Sequence, residues 1–392
     1  INMHIGTFTE RPYASLAENE VYRNASFFGV SNKHFDPKVG AELYHRYLDQ
    51  YVYAEEVGFD VLMLNEHHAN PFTMGAVMDV EAAILASRTK RAKIALMGNP
   101  LPVTDPLRLA EELAMIDMIS RGRLVAGWVR GAGSEQIANN INPAYNRERF
   151  NEAHDFIQQA WTKTGPWRYE GKHYHYRHVN PWQKPYQQPV PECWIPGLVS
   201  PETVIWCAQH RYPYLALATF LEPTVEMWDM YADEAERQGY QAGPENFGYL
   251  QKIVVAETEE KAQELGHAWL YGGGQPAFAR PEWMFPSGYN SKAATARLAK
   301  EVALAATAYS ENIDVEAAKR TTLASYKSFQ DSNQFIIGTP KSVLPKLRHV
   351  METIRPGIMI LWHIEGGPVS QEDALTSLRL LGTQVLPEMR KY

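Results

Sequence analysis

The chain has 392 residues, of which 45% are hydrophobic and 21% charged, and its formal net charge is −7. This acidic balance argues against nucleic acid and anionic membranes as partners, because binding to either needs a basic surface. No apolar stretch reaches the roughly 18 residues of a membrane span. Cys193 and Cys207 lie outside any metal-type spacing, so we expect a reducing, cytoplasmic setting.

Predicted strands and helices alternate along the chain. The segment 59–64 is apolar apart from Asp60, which is typical of a strand buried on both faces in a parallel sheet. Asp105 and Pro106 begin a helix as its N-cap and first-turn residue. We predict strands over 3–8, 59–64, 94–97, 124–129, 193–196, 214–218, 250–256 and 357–361. Helices are predicted between them, over 40–57, 80–87, 105–120, 150–161, 224–238, 259–271 and 374–384, with one more that begins at Ser200.

Two segments break this alternation. The segment 165–191 holds five prolines and a predicted hairpin over 169–176, and 272–330 begins with three glycines and continues into a long helical region. Eight strand–helix units favour an α/β fold of the (β/α)8 TIM-barrel type, a single domain over 1–392 with insertions after strands 4 and 7. Active sites of TIM barrels lie at the carboxyl ends of the strands. We therefore expect both insertions on that face, with 272–330 as a lid.

Polar residues follow the second predicted strand directly, in the order Asn65-Glu66-His67-His68. Successive residues of a strand point to opposite faces, so His67 and His68 cannot easily bind one metal ion. A metal site also needs three or four convergent ligands. An imidazole beside a reactive centre could instead act as a general base or hydrogen-bond donor. The alternative is that both histidines only fill the barrel rim.

The segments after strands four and five could bind an anion. Arg130 follows strand four, and its guanidinium offers a fork of donors that suits phosphate. Arg147 and Arg149 add positive charge at the start of the next helix. Ser200 is the predicted N-cap of the helix after strand five and Thr203 is its third residue, where free amides and the helix dipole favour anions. An ordinary helix start and solvated helix charges explain the same residues equally well.

Strand three ends in Met97-Gly98-Asn99-Pro100, a run of mostly small or turn-forming residues. Its backbone could lie against a flat ring, or the run could be a simple turn. All of these motifs fall at the carboxyl ends of consecutive predicted strands. Together they indicate one site with an anion pocket, a flat wall and a histidine.

In these motifs the chain resembles the bacterial luciferase-like family of flavin-dependent monooxygenases. The resemblance covers nearly the whole length of the chain. Its most specific segments are Gly58-Phe59-Asp60 before Glu66-His67-His68, the segment 105–123, and Ile337-Gly338-Thr339-Pro340. The resemblance implies a TIM-barrel enzyme that uses FMN.

The resemblance also implies roles for individual residues. His67 would lie by the reactive edge of the flavin, and a non-proline cis peptide between Met97 and Gly98, next to Asn99, would support the isoalloxazine ring. The residues implied for the phosphate site are Arg130, Arg147 (with Arg149 nearly as good a match), Val199, Ser200 and Thr203. Those predicted for the substrate and the lid are His68, Phe278, Trp283 and Phe285. Val199 replaces an acidic residue of the family and Gly133 an aromatic one, so light emission and a fatty-aldehyde substrate are not implied.

The activity that the resemblance implies is a two-component monooxygenase. A separate NAD(P)H-dependent flavin reductase would supply reduced FMN, which would react with O2 and oxygenate a small organic substrate through a flavin C4a-(hydro)peroxide. His67 is the residue expected to handle the proton of the peroxide. A homo-oligomer, dimeric or larger, is expected. Three alternatives remain open: a deazaflavin-dependent hydride-transfer oxidoreductase, a non-catalytic flavin-binding protein of this fold, and a metal-dependent TIM-barrel hydrolase.

Overall fold

The structure of the protein is a computed structural model, which describes residues 2–16, 30–198, 200–271, 286, 288–294, 296, 315–363 and 369–392. The strands, in chain order, are β1 (His4–Phe8), β2 (Val61–Leu64), β3 (Lys93–Leu96), β4 (Asn99–Pro100), β5 (Leu124–Ala126), β6 (Trp128–Val129), β7 (Trp167–Glu170), β8 (His175–Val179), β9 (Glu192–Cys193), β10 (Ile195–Gly197), β11 (Tyr214–Leu217), β12 (Phe247–Val255), β13 (Phe335–Gly338) and β14 (Ile358–Trp362). The α-helices are α1 (Pro37–Glu56), α2 (Met78–Arg88), α3 (Pro106–Ser120), α4 (Gly133–Ala138), α5 (Asn146–Thr162), α6 (Pro201–His210), α7 (Leu221–Arg237), α8 (Glu259–Tyr271), α9 (Val315–Asp331), α10 (Pro340–Ile354), α11 (Gln371–Leu380) and α12 (Leu386–Met389).

The main sheet is a parallel barrel. Its strands are hydrogen-bonded in the order β10, β11, β12, β14, β1, β2, β3, β5, β9. Only Trp194 separates β9 from β10, and its backbone N–H donates to the carbonyl of Ala126 at 2.9 Å. β9 and β10 therefore act as one barrel strand, and the order closes on itself. The predicted α/β TIM barrel is confirmed.

Both faces of the barrel strands are buried, as the largely apolar segment 59–64 predicts. In β2, Val61 and Met63 face a core inside the barrel, whereas Leu62 and Leu64 belong to the larger core between strands and helices. The inner faces of neighbouring strands continue this layer, because residues in register lie side by side. One such row runs through Phe8, Met63, Ala95 and Val125.

Two strands were not predicted, the two-residue β4 and the longer β13. The segment β13 is only four residues long and pairs in parallel with Lys252–Val255, the second half of β12. The first half of β12 pairs with β14 in the barrel. β12 is nine residues long because it serves both neighbours. A run as short as β13 gives no periodicity from which a strand can be distinguished from a loop.

The first insertion does not lie on the catalytic face, so that expectation is wrong. The segment 165–191 follows helix α5 rather than a strand. Its hairpin β7–β8 packs outside the barrel, with the rings of Tyr169 and Tyr176 each 4.8 Å from that of Phe156. Further along, Gln187 bonds to the Asp117 carboxylate and to the carbonyl of Leu124, the first residue of β5. A helix of a TIM barrel returns the chain to the amino ends of the strands, and the insertion starts there.

The second insertion, 272–330, lies within the connection from β12 to α10, which also contains α8 and β13. Helix α10 packs against α7 and α12, as an outer helix of the barrel does. The insertion is therefore part of a strand-to-helix connection, on the catalytic side. Of the lid predicted over 272–330, residues 272–285, 287, 295 and 297–314 lie outside the described residues. Among the helices of the described residues, none is long and apolar enough to cross a membrane.

Candidate active site

A cavity of about 390 Å³ lies at the carboxyl ends of the barrel strands. It brings together seven of the residues predicted for the site: His67, Met97, Gly98, Arg130, Arg147, Ser200 and Thr203. His68 and Asn99 do not line it. Four further predicted residues, Val199, Phe278, Trp283 and Phe285, lie outside the described residues.

His67 is held against a buried carboxylate. Its Nδ1 lies 2.8 Å from Oε1 of Glu135, whose side chain is 1% exposed, while the imidazole is 25% exposed. The other oxygen, Oε2 of Glu135, accepts the backbone N–H of Ala132 at 2.7 Å. Because Nδ1 faces an acceptor, it carries a proton, and chemistry toward the cavity falls to Nε2. Burial alone would lower the pKa of His67, but the Glu135 carboxylate outweighs burial and raises it above the ordinary value.

Glu135 was missed in the sequence. It lies in α4, a helix of only six residues directly after strand four. It follows Arg130 by five positions, so a carboxylate near that rim was visible, but nothing in the spacing pairs it with His67. The two residues are 68 positions apart and meet only because β2 and β5 are both neighbours of β3 in the barrel.

A buried polar network fixes the segment that carries His67. The guanidinium of Arg11, which is fully buried, donates to the backbone carbonyl of Asn65 at 2.6 Å and to its side-chain oxygen at 3.2 Å. Arg11 also pairs with Glu81 on α2 at 2.7 Å. The amide of Asn65 donates to Glu10 at 2.7 Å. Glu10 and Arg11 directly follow β1, so the rule that polar residues after a strand mark the site would have found them.

His68 turns away from this cavity toward helix α2. Its Nε2 lies 2.9 Å from Oε1 of Glu66, and Oε2 of Glu66 accepts the first backbone N–H of the helix, that of Met78, at 3.0 Å. The hydrogen bond to Glu66 is the main reason that the pKa of His68 is raised. The two adjacent histidines thus bind two different carboxylates, and their positions give no shared metal site.

One group of potential metal ligands occurs elsewhere among the described residues: His154, Asp155 and His210. Both ring nitrogens of His154 already have partners, Asp155 and the hydroxyl of Tyr212, each at 2.9 Å. None of the three lines the cavity. This group therefore adds no metal chemistry to the candidate site.

The anion site contains two arginines. The Nη2 of Arg147 donates to the hydroxyl of Thr203 at 3.0 Å, and Arg147 and Arg130 line the same end of the cavity. Burial, and then repulsion from Arg130, lowers the pKa of Arg147 to about 10. Arg149 instead donates to the carbonyl of Pro102 at 3.1 Å and does not line the cavity. Of the two alternatives in the sequence, the structure places Arg147 at the site.

The start of α6 completes the anion site. Ser200 is the N-cap residue and Pro201 takes the first turn of this ten-residue helix. The hydroxyl of Ser200 donates to Glu202 at 3.1 Å rather than capping the backbone, so amides of the first turn have no side-chain cap. Ser200 and Thr203 both border the cavity. The positive end of the helix dipole favours an anion at this point.

The end of the second insertion covers Arg130. Arg130 donates to the backbone carbonyl of Tyr289 at 2.7 Å and to the side-chain oxygen of Asn290 at 3.2 Å. The guanidinium also lies 4.9 Å from the centroid of the Tyr289 ring. Both residues line the cavity. This insertion therefore contacts the anion site through described residues.

The flat wall lies at the end of β3. The Met97–Gly98 peptide bond is cis, as the resemblance implies. A Cβ atom on Gly98 would come within 3.0 Å of the backbone of Gly127 and Trp128, so glycine allows the two chain segments to lie this close. Asn99 is 2% exposed and its amide donates to the carbonyl of Gly127 at 3.1 Å. Asn99 thus holds this wall from behind rather than facing the cavity.

A family model described as luciferase-like monooxygenase matches residues 26–355. The chain belongs to the luciferase-like monooxygenase family. It is 27% identical over 233 residues to the alkanal monooxygenase alpha chain of Photobacterium leiognathi, which is 58% of this chain and 64% of that protein. It is 28% identical over 240 residues to limonene 1,2-monooxygenase of Rhodococcus erythropolis, 58% of this chain and 59% of that protein. These matches span under two thirds of each relative.

A third relative of this luciferase-like chain is the oxygenase component of flavin-dependent trigonelline monooxygenase from Acinetobacter baylyi, 29% identical over 163 residues, or 41% of this chain and 45% of that protein. Among solved structures, the oxygenating constituent of 3,6-diketocamphane monooxygenase from Pseudomonas putida, in complex with FMN, superposes with a TM-score of 0.71 at 18% identity over 99% of both chains. An F₄₂₀-dependent secondary alcohol dehydrogenase superposes with a TM-score of 0.65 at 16% identity over 99% of both chains. These likenesses show a shared fold.

Proposed function

We propose that this chain is the oxygenase of an FMN-dependent two-component monooxygenase, which uses reduced FMN and O2 to oxygenate a small organic substrate. One observation carries the proposal. A single cavity holds a two-arginine anion site, the flat Met97–Gly98 wall and the His67–Glu135 pair. Membership of the luciferase-like monooxygenase family supports the same activity.

The anion end of the cavity fits a phosphate. Two guanidinium groups share a partly buried space, and their repulsion contributes to the lowered pKa of Arg147. A phosphate dianion would relieve this repulsion, since charge-assisted bonds to arginine are strong and often bidentate. The hydroxyls of Ser200 and Thr203 add further polar groups, and the positive end of the α6 dipole favours an anion there.

Bound reduced FMN would supply the activation of O2. The residues of the chain would position the reactants and control the proton. Glu135 holds the imidazole of His67 in one orientation and stabilises its protonated form, so Nε2 can donate a proton at the cavity and accept it again. Apolar side chains of the cavity, among them Phe8, Met63 and Leu250, would exclude water from the reaction.

A separate reductase fits this scheme, because the trigonelline relative is named an oxygenase component. Self-association also has a candidate surface. Helices α2 and α3 pack side by side and expose large apolar side chains, such as Val80 at 59%, Met115 at 49% and Ile119 at 47%. Exposed apolar clusters of this kind mark protein–protein contacts. We propose a homo-oligomer that associates through α2 and α3.

The first test is cofactor choice. The purified protein is titrated with FMN and with riboflavin, and FMN should bind at least tenfold more tightly because only FMN carries the phosphate. Equal affinities would contradict the phosphate site. The protein with reduced FMN is then mixed with O2 and a panel of organic compounds, with free reduced FMN as the control.

The second test separates the candidate activities. Oxygen uptake coupled to oxygenation of an added compound supports the proposal. The F₄₂₀-dependent structure of the same fold makes hydride transfer the nearest alternative. Hydride transfer with reduced F₄₂₀ and no oxygen uptake would establish it. Tight FMN binding with neither reaction would indicate a flavin-binding protein.

A further inference from the structure

Helices α5 and α6 contact each other through three pairs of side chains. In both helices the three positions are spaced by three and then four residues, which places them along one face. The pairs, in chain order, are Arg147 with Thr203 at 3.0 Å, the rings of Phe150 and Trp206 at 5.2 Å, and the rings of His154 and His210 at 5.2 Å. The two helices therefore run side by side in the same direction. The first pair belongs to the anion site, and the third lies where α6 ends.

A carboxylate adjoins the third pair. His154, Asp155 and His210 each offer one ligand atom, and these atoms lie within 4.8 Å of one another. The Nδ1 of His154 lies 2.9 Å from Oδ1 of Asp155. Two ligand atoms of one tetrahedral zinc ion lie about 3.3 Å apart, since each is about 2.1 Å from the metal. An ion between Nδ1 and Oδ1 would therefore need little movement of these two side chains, and His210 is near enough to be the third ligand.

Contacts outside this group hold the ring of His210 in a form that can bind a metal. Its Nδ1 lies 2.8 Å from the carbonyl oxygen of Trp206. A carbonyl only accepts, so Nδ1 carries the proton and the lone pair is on Nε2. The imidazole also packs on the indole of Trp206, with the ring centroids 4.3 Å apart, and lies nearly parallel to the ring of Tyr212. Histidines that bind zinc donate their other N–H to the protein in this way.

His154 has a comparable partner. Its Nε2 lies 2.9 Å from the hydroxyl of Tyr212, which can accept as well as donate. Burial lowers the pKa of His154, which favours the neutral ring that a metal needs. With an ion on Nδ1 in place of a proton, Nε2 would carry the proton and donate it to the oxygen of Tyr212. The side chain of Asp155 is 66% exposed, so an ion can reach the group from solvent.

We propose that His154, Asp155 and His210 bind one zinc ion between the two outer helices, with water in the fourth position. Two imidazoles and one carboxylate are a ligand set that zinc accepts. Because the ligands come from both α5 and α6, the bound ion joins the helices at the pair most remote from the cavity. Its role is to stabilise the fold, since none of the three ligands lines the cavity. This site is independent of the flavin chemistry.

The test uses the full chain after treatment with a chelator and dialysis. Calorimetric titration with zinc chloride should show one strong site per chain. Even a lost partner that only orients a ligand weakens metal binding by about 10- to 100-fold, so His210→Ala and Asp155→Asn, which remove ligands, should each weaken it by at least about tenfold. Both side chains are exposed, so both variants should fold. Zinc should raise the melting temperature of wild type by a few degrees and leave that of His210→Ala nearly unchanged.

His175→Ala is the matched control. His175 is an exposed histidine of β8 whose Nδ1 lies 3.2 Å from a carboxylate oxygen of Glu170, and it belongs to no three-ligand group among the described residues. This variant should bind zinc as tightly as wild type does. A wild type without a strong zinc site would overturn the proposal, and so would a strong site that persists unchanged in both His210→Ala and Asp155→Asn.

Discussion

At the catalytic rim, each of two pairs of like residues has one member that faces the cavity and one that faces away from it. His67 faces the cavity and binds Glu135, whereas His68, its neighbour in sequence, binds Glu66 at the start of α2. Arg147 faces the cavity beside Thr203, whereas Arg149, two residues later, bonds to Pro102 outside it. Residue type and position in the sequence are nearly equal within each pair. Whether a residue belongs to the site therefore depends on the direction in which the backbone points its side chain. The member of each pair that faces away from the cavity is a matched control for the member that faces it.

The largest effect is expected from the histidines. His67→Ala should lower the rate of product formation by about a hundredfold or more, because a positioned acid or base contributes about that much, while FMN affinity stays within a few-fold. His68→Ala should leave the rate nearly unchanged and lower the melting temperature slightly, since it removes only a contact at the start of α2. Single-turnover product analysis with reduced FMN measures both. Equal losses of rate in the two variants would show that His67 has no special role in the reaction.

The arginines should show the next largest effect. Arg147→Ala should weaken FMN binding by about 10- to 100-fold, because it removes a charged donor from the phosphate site. The affinity for riboflavin, which has no phosphate, should barely change. Arg149→Ala should change neither affinity. Fluorescence titrations of the three proteins with both flavins give the comparison, and a loss of riboflavin affinity in Arg147→Ala would point to a structural defect instead.

The carboxylates give a smaller effect, on pH dependence. Glu135 raises the pKa of His67, so Glu135→Gln should lower that pKa and move the corresponding limb of the rate profile to lower pH, whichever protonation state of His67 is active. A raised histidine pKa stabilises the fold fully below the pKa of unfolded histidine, about 6.5, and this stability is lost as pH rises through the folded pKa. The gap in unfolding free energy between wild type and Glu135→Gln should therefore narrow as the pH rises.

Glu66→Gln is the matched control, because Glu66 raises the pKa of His68, the histidine that does not line the cavity. In the pH–rate profile of Glu66→Gln, the limb attributed to His67 should stay at the pH found for wild type. The pKa values of both histidines can be followed directly by NMR titration of the two variants. If the limb of the pH–rate profile moved in Glu66→Gln and not in Glu135→Gln, His68 rather than His67 would be the histidine that acts in the reaction.

The barrel and much of the site could be predicted because both depend on local patterns. Apolar runs gave the eight strand positions, and polar residues after strands marked His67, Arg130 and Ser200. The partner of His67 could not be predicted, because Glu135 reaches the cavity only through the closure of the barrel.

The two insertions show the same limit at a larger scale. Both have the proline and glycine content of a loop, but one connects a helix to a strand and the other a strand to a helix. In a TIM barrel only the second type lies at the carboxyl ends of the strands. The composition of the sequence identified the two insertions. Whether an outer helix comes before or after an insertion determines the end of the barrel at which it lies.

The different positions of the two insertions lead to the smallest of the expected effects on FMN affinity. Gln187→Ala, in the first insertion, removes hydrogen bonds to the buried Asp117 carboxylate, to Leu124 and from Glu192, and should cost about 2 kcal/mol of stability. Its FMN affinity should equal that of wild type. Asn290→Ala, in the second insertion, removes the 3.2 Å contact with Arg130 and should change FMN affinity a few-fold with little change in stability. Denaturant unfolding measures the stability of both variants, and FMN titration measures their affinity. A change in FMN affinity in Gln187→Ala would mean that the first insertion affects the site through the strands that it supports.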